Sequence, residues 1–394
     1  MQKYLLVTIC ILLGFQSNAQ KKDNKEYKIM SKFFKEERVI KVHLPKKFNR
    51  NEKLPVIFVF DAQWYPFYNL IISSIDYLTE INELPKSLVV GILSKKRQFE
   101  FTPEPVNEDW KMPSLGGAKK LENHLLQEVL PLIDSLHQIQ PFRTAIGHSL
   151  GGTFILNSLI DSPNLFNAVI AISPNLQIDD EEIVLKIKRN ITTLKRGNKF
   201  LFVTIGAKGE PDSSFLSSVK KLDSVMTLET SKTFHWNFKI YKGFNHATTP
   251  LESINNSLLL FSEKWKISDS KRKSMLNSKN LLLSFNQFYE NLSSWAGHPV
   301  LPSKNDYYKF ISYLETSKRY NDVIKFYKSA IKKFPSESRF YNGVAENTVK
   351  LGNKKEAIIY LQQALKVLEN ELFEYADNKE YFKQLYNKNL EKLK

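Results

Sequence analysis

Cysteine is all but missing from this chain: Cys10 is the only one in 394 residues. With a single thiol no intramolecular disulfide and no thiolate metal site can form. Long apolar runs are also lacking. The longest near the start, Leu5 to Phe15, falls short of the ~20 residues that a membrane-spanning helix needs. It follows Lys3 and precedes Ser17-Asn18-Ala19, the charge, apolar and small-residue order of a cleavable secretory signal. The expectation is therefore a signal over residues 1–19, a mature chain beginning near Gln20 and an exported, periplasmic or secreted bacterial protein. A mature chain without cysteine suits a compartment where disulfides are permitted but not required. No transmembrane segment is expected after cleavage. Acidic residues are outnumbered, and the formal net charge is +16. The lysines are scattered, however, and no zinc-finger, basic-zipper or RNA-binding signature accompanies them, so no nucleic-acid partner is expected.

What is present is an alternation of strand and helix signals from Glu26 to about Lys266. Tyr27–Met30 and Val39–Leu44 read as an opening antiparallel pair. Leu54-Pro-Val-Ile-Phe-Val-Phe60 and Leu88–Leu93 are continuous apolar runs of the kind buried on both faces of a parallel sheet. Further strand signals lie at Arg143–Ile146, Ala168–Ile172, Phe200–Ile205 and Phe238–Tyr241. Helical spacing covers Tyr68–Leu78, and also Ala118–His137, where Leu121, Leu125, Val129, Leu132 and Leu136 share one face. This order predicts an α/β fold with a mostly parallel central sheet flanked by helices. The predicted domains are 20–267 for this unit, 268–302 for a linker and helix with a polar, lysine-rich linker at Ser268–Ser278, and 303–394 for a small all-α helical-repeat domain. In the last, Val323 aligns with Ala357 and Ala330 with Ala364, each 34 residues apart, the period of tetratricopeptide repeats. Ile311 stands where that repeat prefers glycine. The alternative is a plain helical cap. The tail offers a surface for a protein partner.

Gly147-His148-Ser149-Leu150-Gly151 follows a strand and precedes the apolar helix Thr153–Ile160. In that setting a Gly-x-Ser-x-Gly turn is sharp and pushes the serine hydroxyl out at the carboxyl end of the strand. The helix start aims N–H groups at the same point, where an oxyanion would form. Ser149 is thus the candidate nucleophile, and the Leu150 N–H is one candidate oxyanion donor. The other is a backbone N–H near Ala62 or Gln63, after the Val56–Phe60 strand. A serine needs a base, and in this kind of fold the order is serine, acid, histidine. Of the later histidines, His298 lies beyond the α/β segment and His235 before the last strand, which leaves His246 in Gly243-Phe-Asn-His246. The acid should follow the Phe200–Ile205 strand; Glu210 is favoured, with Asp212 second and Asp223 a remote third. Arg97 is read either as a contact to a polar or anionic part of a substrate or as half of a structural ion pair. Trp64, Tyr65, Phe67 and Trp110 are read as the lining of an aromatic cleft or as packing.

With these residues placed, the chain resembles the esterase family of α/β-hydrolases that is related to esterase D and to siderophore esterases cleaving enterobactin-type triesters. The resemblance covers about residues 26–265. It rests on Ser31 and Arg38, Asp61, Arg97 with Thr102-Pro103, Gly116-Gly117, Glu128 through Asp134, the serine turn, Phe166, Ser173-Pro174 and His246. It implies ester hydrolysis through an acyl-enzyme on a small-molecule substrate without metal or other cofactor, with Ser149 and His246 as the catalytic pair and a variable third member. Relatives commonly carry Asp-Gly where this chain has Asp61-Ala62, and the alanine methyl is expected to narrow the oxyanion loop. Two rivals remain at this stage: a scaffold that acts through the helical tail with a vestigial hydrolase, and an acyltransferase on the same triad.

Overall fold

The computed structural model describes residues 24–46, 52–373 and 376–393; the expected signal over 1–19 lies outside them. The chain divides into two compact units, one ending at Leu258 and the other beginning at Leu259, ahead of the boundary expected at 267.

The first unit runs β1 (Asn24–Ser31), β2 (Glu36–His43), β3 (Leu54–Phe60), α1 (Tyr65–Glu80), β4 (Leu88–Ile92) and α2 (Arg97–Phe101). Then come α3 (Ala118–His124), a π-helical turn (Leu125–Val129), α4 (Leu130–His137), β5 (Ile139–His148), α5 (Leu150–Asp161) and β6 (Ala168–Ile172). The rest is α6 (Glu182–Arg189), α7 (Ile191–Lys195), β7 (Lys199–Gly206), α8 (Asp212–Met226), β8 (Phe234–Tyr241) and α9 (Thr249–Ser262), within which the unit ends. The eight strands form one sheet in the order β1-β2-β4-β3-β5-β6-β7-β8. β2 is antiparallel to both neighbours and every pair from β4 to β8 is parallel. This is the α/β-hydrolase architecture.

Every residue of β3, β4, β6 and β7 is buried. Because strand side chains alternate between faces, both faces of the central sheet are covered, which is why these strands are unbroken apolar runs. His235 lies inside β8, opposite Phe200, rather than ahead of it. Parallel strands all end on one edge, and the loops after their carboxyl ends meet there.

The Ala118–His137 helix departs from its expected face. Leu121, Leu125 and Val129 are buried as expected, but Leu136 is 45% exposed, and Leu130 and Ile133 take the inward positions beyond Val129. The π-turn at 125–129 accommodates one extra residue, which rotates the following turn out of the simple α-helical phase. Within that turn Glu128 accepts hydrogen bonds from the Ser31 hydroxyl (2.7 Å) and the Lys32 N–H (2.8 Å), which ties the β1–β2 turn to the helix.

The second unit holds α10 (Asp269–Leu276), α11 (Leu281–Ala296), α12 (Lys304–Thr316), α13 (Tyr320–Lys333), α14 (Ser338–Lys350), α15 (Lys354–Asn370) and α16 (Ala376–Glu391). The stretch at 268–278 expected as a linker is therefore mostly helix. Ser268 caps α10 by accepting the Lys271 N–H, and Met275 and Leu276 are buried. Polar composition concealed a helix held by its last two apolar residues. Helix starts at 304 and 338, and at 320 and 354, repeat at 34 residues, and Val323, Ala330, Ala357 and Ala364 are all fully buried.

Arg38, on β2, is buried with its guanidinium on Glu100 (2.9 and 2.5 Å) and on the Leu93 carbonyl (3.0 Å). Glu100 also accepts the Lys95 and Lys96 N–H groups (3.0 and 2.8 Å), so the pair fastens β2 to the loop after β4. Glu100→Ala leaves the buried cation with only the half-exposed Glu36 (3.0 Å) and the Leu93 carbonyl, and a loss of about 3 kcal/mol is expected. Urea unfolding of the two proteins measures it.

Candidate functional site

β5 ends at His148, and Ser149 is left at φ 57°, ψ −123°, a conformation that costs a non-glycine residue about 1–3 kcal/mol. The surroundings enforce it. The Ser149 N–H donates to the Ile172 carbonyl (2.9 Å), extending the β5–β6 pairing, and the Ser149 carbonyl accepts the Thr153 N–H (3.0 Å) as α5 begins. Between these two anchors the chain must reverse. A Cβ at Gly147 would lie 2.5 Å from the Gly151 carbonyl group, so only glycine permits the turn. Leu150 opens α5, and its N–H is among those with no carbonyl inside the helix to meet.

His246 sits on the loop between β8 and α9. Its Nδ1 is 2.7 Å from Asp212 Oδ1. Asp212 is fully buried at the start of α8, and its other oxygen accepts the Gly206 N–H (2.9 Å) and the Ser173 hydroxyl (3.0 Å), while the Thr249 hydroxyl, 3.3 Å away, donates to the Asn245 carbonyl (2.7 Å). Burial pushes this carboxyl up, but the bond and charge of His246, with the bonds from Ser173 and Gly206, outweigh it and hold the group below its usual range. An ionised Asp212 only accepts, so Nδ1 carries the proton and Nε2 presents a lone pair.

The expectation that Glu210 orients the imidazole is corrected here. Glu210 is exposed and its carboxylate accepts the Ser214 N–H (3.3 Å) within the turn into α8. Asp212, two residues on, points inward beneath the end of β7, where a Cβ on Gly206 would overlap its carboxylate. Asp223 accepts the Trp236 indole N–H (2.7 Å) and so joins α8 to β8.

His148 was quoted only as the variable residue of the serine turn. Its Nε2 is 3.0 Å from the His246 carbonyl oxygen, and the two rings lie 4.3 Å apart. As a carbonyl only accepts, His148 Nε2 must carry a proton and donate it. Burial, and then the neighbouring His246, drive its pKa down to about 3. A neutral, buried imidazole thus pins the His246 loop beside Ser149. Ser173 was likewise missed as a partner of the acid; only the fold brings it there.

The loop after β3 corrects two more expectations. The Ala62 N–H is not available to an oxyanion, because it donates to the Ile92 carbonyl (3.0 Å). The Gln63 N–H is the donor that remains. The Ala62 methyl does not narrow the loop either: it is fully buried, packed where a Cβ on Gly91 would stand. Gln63 is held through its side chain by Asp61 (2.9 Å) and Ser94 (2.8 Å). Asp61 is at φ 62°, and burial pushes its carboxyl up against the opposing pull of Arg97. Arg97 donates through Nε to both Asp61 oxygens (2.9 Å each) and through Nη2 to the His148 carbonyl (3.2 Å). Of its two readings the structural ion pair is the one observed. Trp64 stacks on Phe67 (5.4 Å) and lies 5.6 Å from the His148 ring, forming an aromatic wall beside the elbow. Tyr65 faces Lys41 instead, and the Trp110 indole N–H donates to Asp180 (3.3 Å). Among the described residues no group of three or more His, Cys, Asp or Glu is arranged to hold a metal ion, and no helix is long and apolar enough to cross a membrane.

The family model described as "Putative esterase" matches residues 31–247. The chain is 28% identical over 174 residues to the uncharacterized protein YjcH of Bacillus subtilis, covering 42% of this chain and 66% of that one. It is 30% identical over 111 residues to the ferri-bacillibactin esterase BesA of the same organism, covering 28% of this chain and 38% of that one. The chain thus spans under two thirds of the length of both relatives. Among solved structures, an uncharacterised protein from Capnocytophaga ochracea superposes with a TM-score of 0.72 at 17% identity, over 94% of this chain and 99% of that one. An IroE-like serine hydrolase from Shewanella oneidensis gives 0.60 at 22% identity, over 75% and 95%. At such identities the likeness is one of fold.

His148 carries a stability prediction. Its folded pKa is about 3, against an ordinary 6.5, so below pH 6.5 the unfolded chain binds a proton that the folded chain refuses. The contribution of neutral His148 is full above 6.5 and is lost as the pH falls toward 3. His148→Asn should flatten the acid limb of stability against pH by up to about 1.4 kcal/mol per pH unit. Urea unfolding across that window measures the slope; equal slopes in both proteins would contradict the assignment.

Proposed function

The chain belongs to the esterase family of α/β-hydrolases, and from this we propose that it is an exported serine esterase that cleaves small carboxylic esters through an acyl-enzyme. Ser149 is the nucleophile, His246 the general base and Asp212 the acid. The observation that carries this reading is the buried Asp212 on His246 Nδ1 (2.7 Å), with the His246 ring against the residue that precedes Ser149.

In the forward step the Ser149 oxygen attacks the ester carbonyl carbon while its proton passes to His246 Nε2. The resulting oxyanion is received by the Leu150 and Gln63 N–H groups, dipoles already aimed before charge develops. Collapse of the intermediate breaks the bond to the alcohol, which leaves with the proton from His246. Water then repeats the sequence on the acyl-enzyme and releases the acid and free Ser149. Asp212 stays ionised throughout and offsets the imidazolium charge. The Trp64–Phe67 wall suits an apolar or aromatic part of the substrate. The name of the relative BesA makes a ferri-siderophore ester the first natural substrate to assay.

Export rests on the order of charge, apolar run and small residues in 1–19. The reading of 303–394 as a tetratricopeptide-like domain is supported by helix starts repeating at 34 residues; Ile311, fully packed inside α12, departs from that repeat.

Hydrolysis of p-nitrophenyl acetate by the purified chain should vanish in Ser149→Ala, and a fluorophosphonate probe should add to Ser149 when the adduct is mapped by mass spectrometry. Labelling elsewhere, or equal turnover in Ser149→Ala, would refute the reading. Asp212→Asn should lower kcat by about 10³–10⁴-fold, as expected when the imidazole takes the wrong tautomer, whereas Glu210→Gln should leave it unchanged.

A further inference from the structure

One buried cation takes no part in the reaction above. Lys41, on β2, is only 5% exposed, and an ammonium group is not kept in an interior without partners. Its Nζ donates to the Ala62 carbonyl oxygen (3.1 Å) and lies 3.9 Å from the Tyr65 ring centroid and 5.5 Å from that of Tyr68. Lys41 stands opposite Gly91 in the β2–β4 pairing, and β4 separates β2 from β3. The side chain therefore reaches across β4 to the loop after β3. Gly91 lets the loop and α1 close over β4 here: a Cβ there would come within 2.7 Å of both the Ala62 methyl and the Tyr68 ring.

The carbonyl that Lys41 holds belongs to the Ala62–Gln63 peptide. In a trans peptide the C=O and the following N–H lie in one plane and point in opposite directions. Fixing the Ala62 oxygen therefore fixes the direction of the Gln63 N–H. That N–H is the one donor this turn retains, since the Ala62 N–H is engaged by Ile92. A cation on the carbonyl also polarises the peptide and strengthens the N–H as a donor. On its other side the loop is held through the Gln63 side chain and the Asp61–Arg97 pair. The peptide plane is thus gripped from both sides, and on the inner side the charge sits directly on the carbonyl.

We propose that Lys41 is a positioning residue for the oxyanion hole, which aims and strengthens the Gln63 N–H by hydrogen-bonding the Ala62 carbonyl. This rests on the esterase reading given above. A lysine that merely fills space would affect folding alone. A lysine that orients an oxyanion donor affects the transition state more than the bound substrate.

The test compares wild type, Ser149→Ala, Lys41→Met and Lys41→Arg on p-nitrophenyl acetate and on benzeneboronic acid, whose adduct with a serine carries a tetrahedral anionic centre. Rates are taken per folded molecule from far-UV circular dichroism. Lys41→Met should lower kcat about tenfold or more, with KM within about twofold. Its affinity for the boronic acid should weaken in parallel with kcat. Lys41→Arg, which retains a cationic donor, should recover most of both. If Lys41→Met does not fold, Lys41→Gln, uncharged and one bond shorter, replaces it with the same expected loss. Normal turnover and boronate affinity in the Lys41 variants, or losses that only follow the folded fraction, would overturn the Lys41 assignment while leaving the esterase reading intact. Absence of Ser149-dependent turnover in the wild type would overturn the esterase reading, and the Lys41 assignment with it.

Discussion

A carboxylate shut away from water keeps its charge only if donors replace the water it has lost, and Asp212 is supplied with three. His246, Ser173 and Gly206 come from the loop after β8, the end of β6 and the end of β7. One buried group therefore gathers the edges of several elements, and each of them is located by where it meets this carboxylate. The tautomer of His246 follows from the same contact. So does the need for glycine at 206, whose missing Cβ is the space that the carboxylate occupies.

A second set of contacts does for the serine turn what Asp212 does for the histidine. The Ser149 backbone is bent between the Ile172 carbonyl and the first turn of α5, so the cost of its positive φ is met by the packing of the sheet rather than by local preference. Arg97 links the His148 carbonyl to Asp61, and Asp61 links to Gln63. The elbow and the loop that faces it are thus joined by charged hydrogen bonds in a partly buried setting, where such bonds are stronger than in water. His148 then joins the elbow to the histidine loop through a neutral imidazole, which burial favours over a charged one.

Much of this was legible from residue order. The unbroken apolar runs at 54–60 and 168–172 coincide with β3 and β6, because strands buried on both faces need every side chain apolar and these runs are too short for a buried helix. The glycines around Ser149 could be read because a sharp turn has few chemical solutions. The chain order of serine, acid and histidine narrowed the late histidines to His246. The choice between Glu210 and Asp212 was not legible, since both follow β7 closely and only the entry angle of α8 turns one inward. Nor was the Ala62 N–H, whose engagement with Ile92 depends on β4 lying beside β3 in space. The rotation beyond Val129 escaped the helical period because a π-turn leaves no mark in apolar spacing until its neighbours are seen.

By itself, then, the order of residues determined the fold class, the strands of the central sheet, and the serine and histidine positions at its carboxyl edge. These depend on local period and turn chemistry, which a chain carries along its length. Tertiary structure alone decided which carboxylate meets the imidazole, which N–H of the loop after β3 is engaged and which cation is buried behind that loop. Those are contacts between segments far apart in sequence, and their partners are chosen by strand order and by the space that Gly91 and Gly206 leave empty.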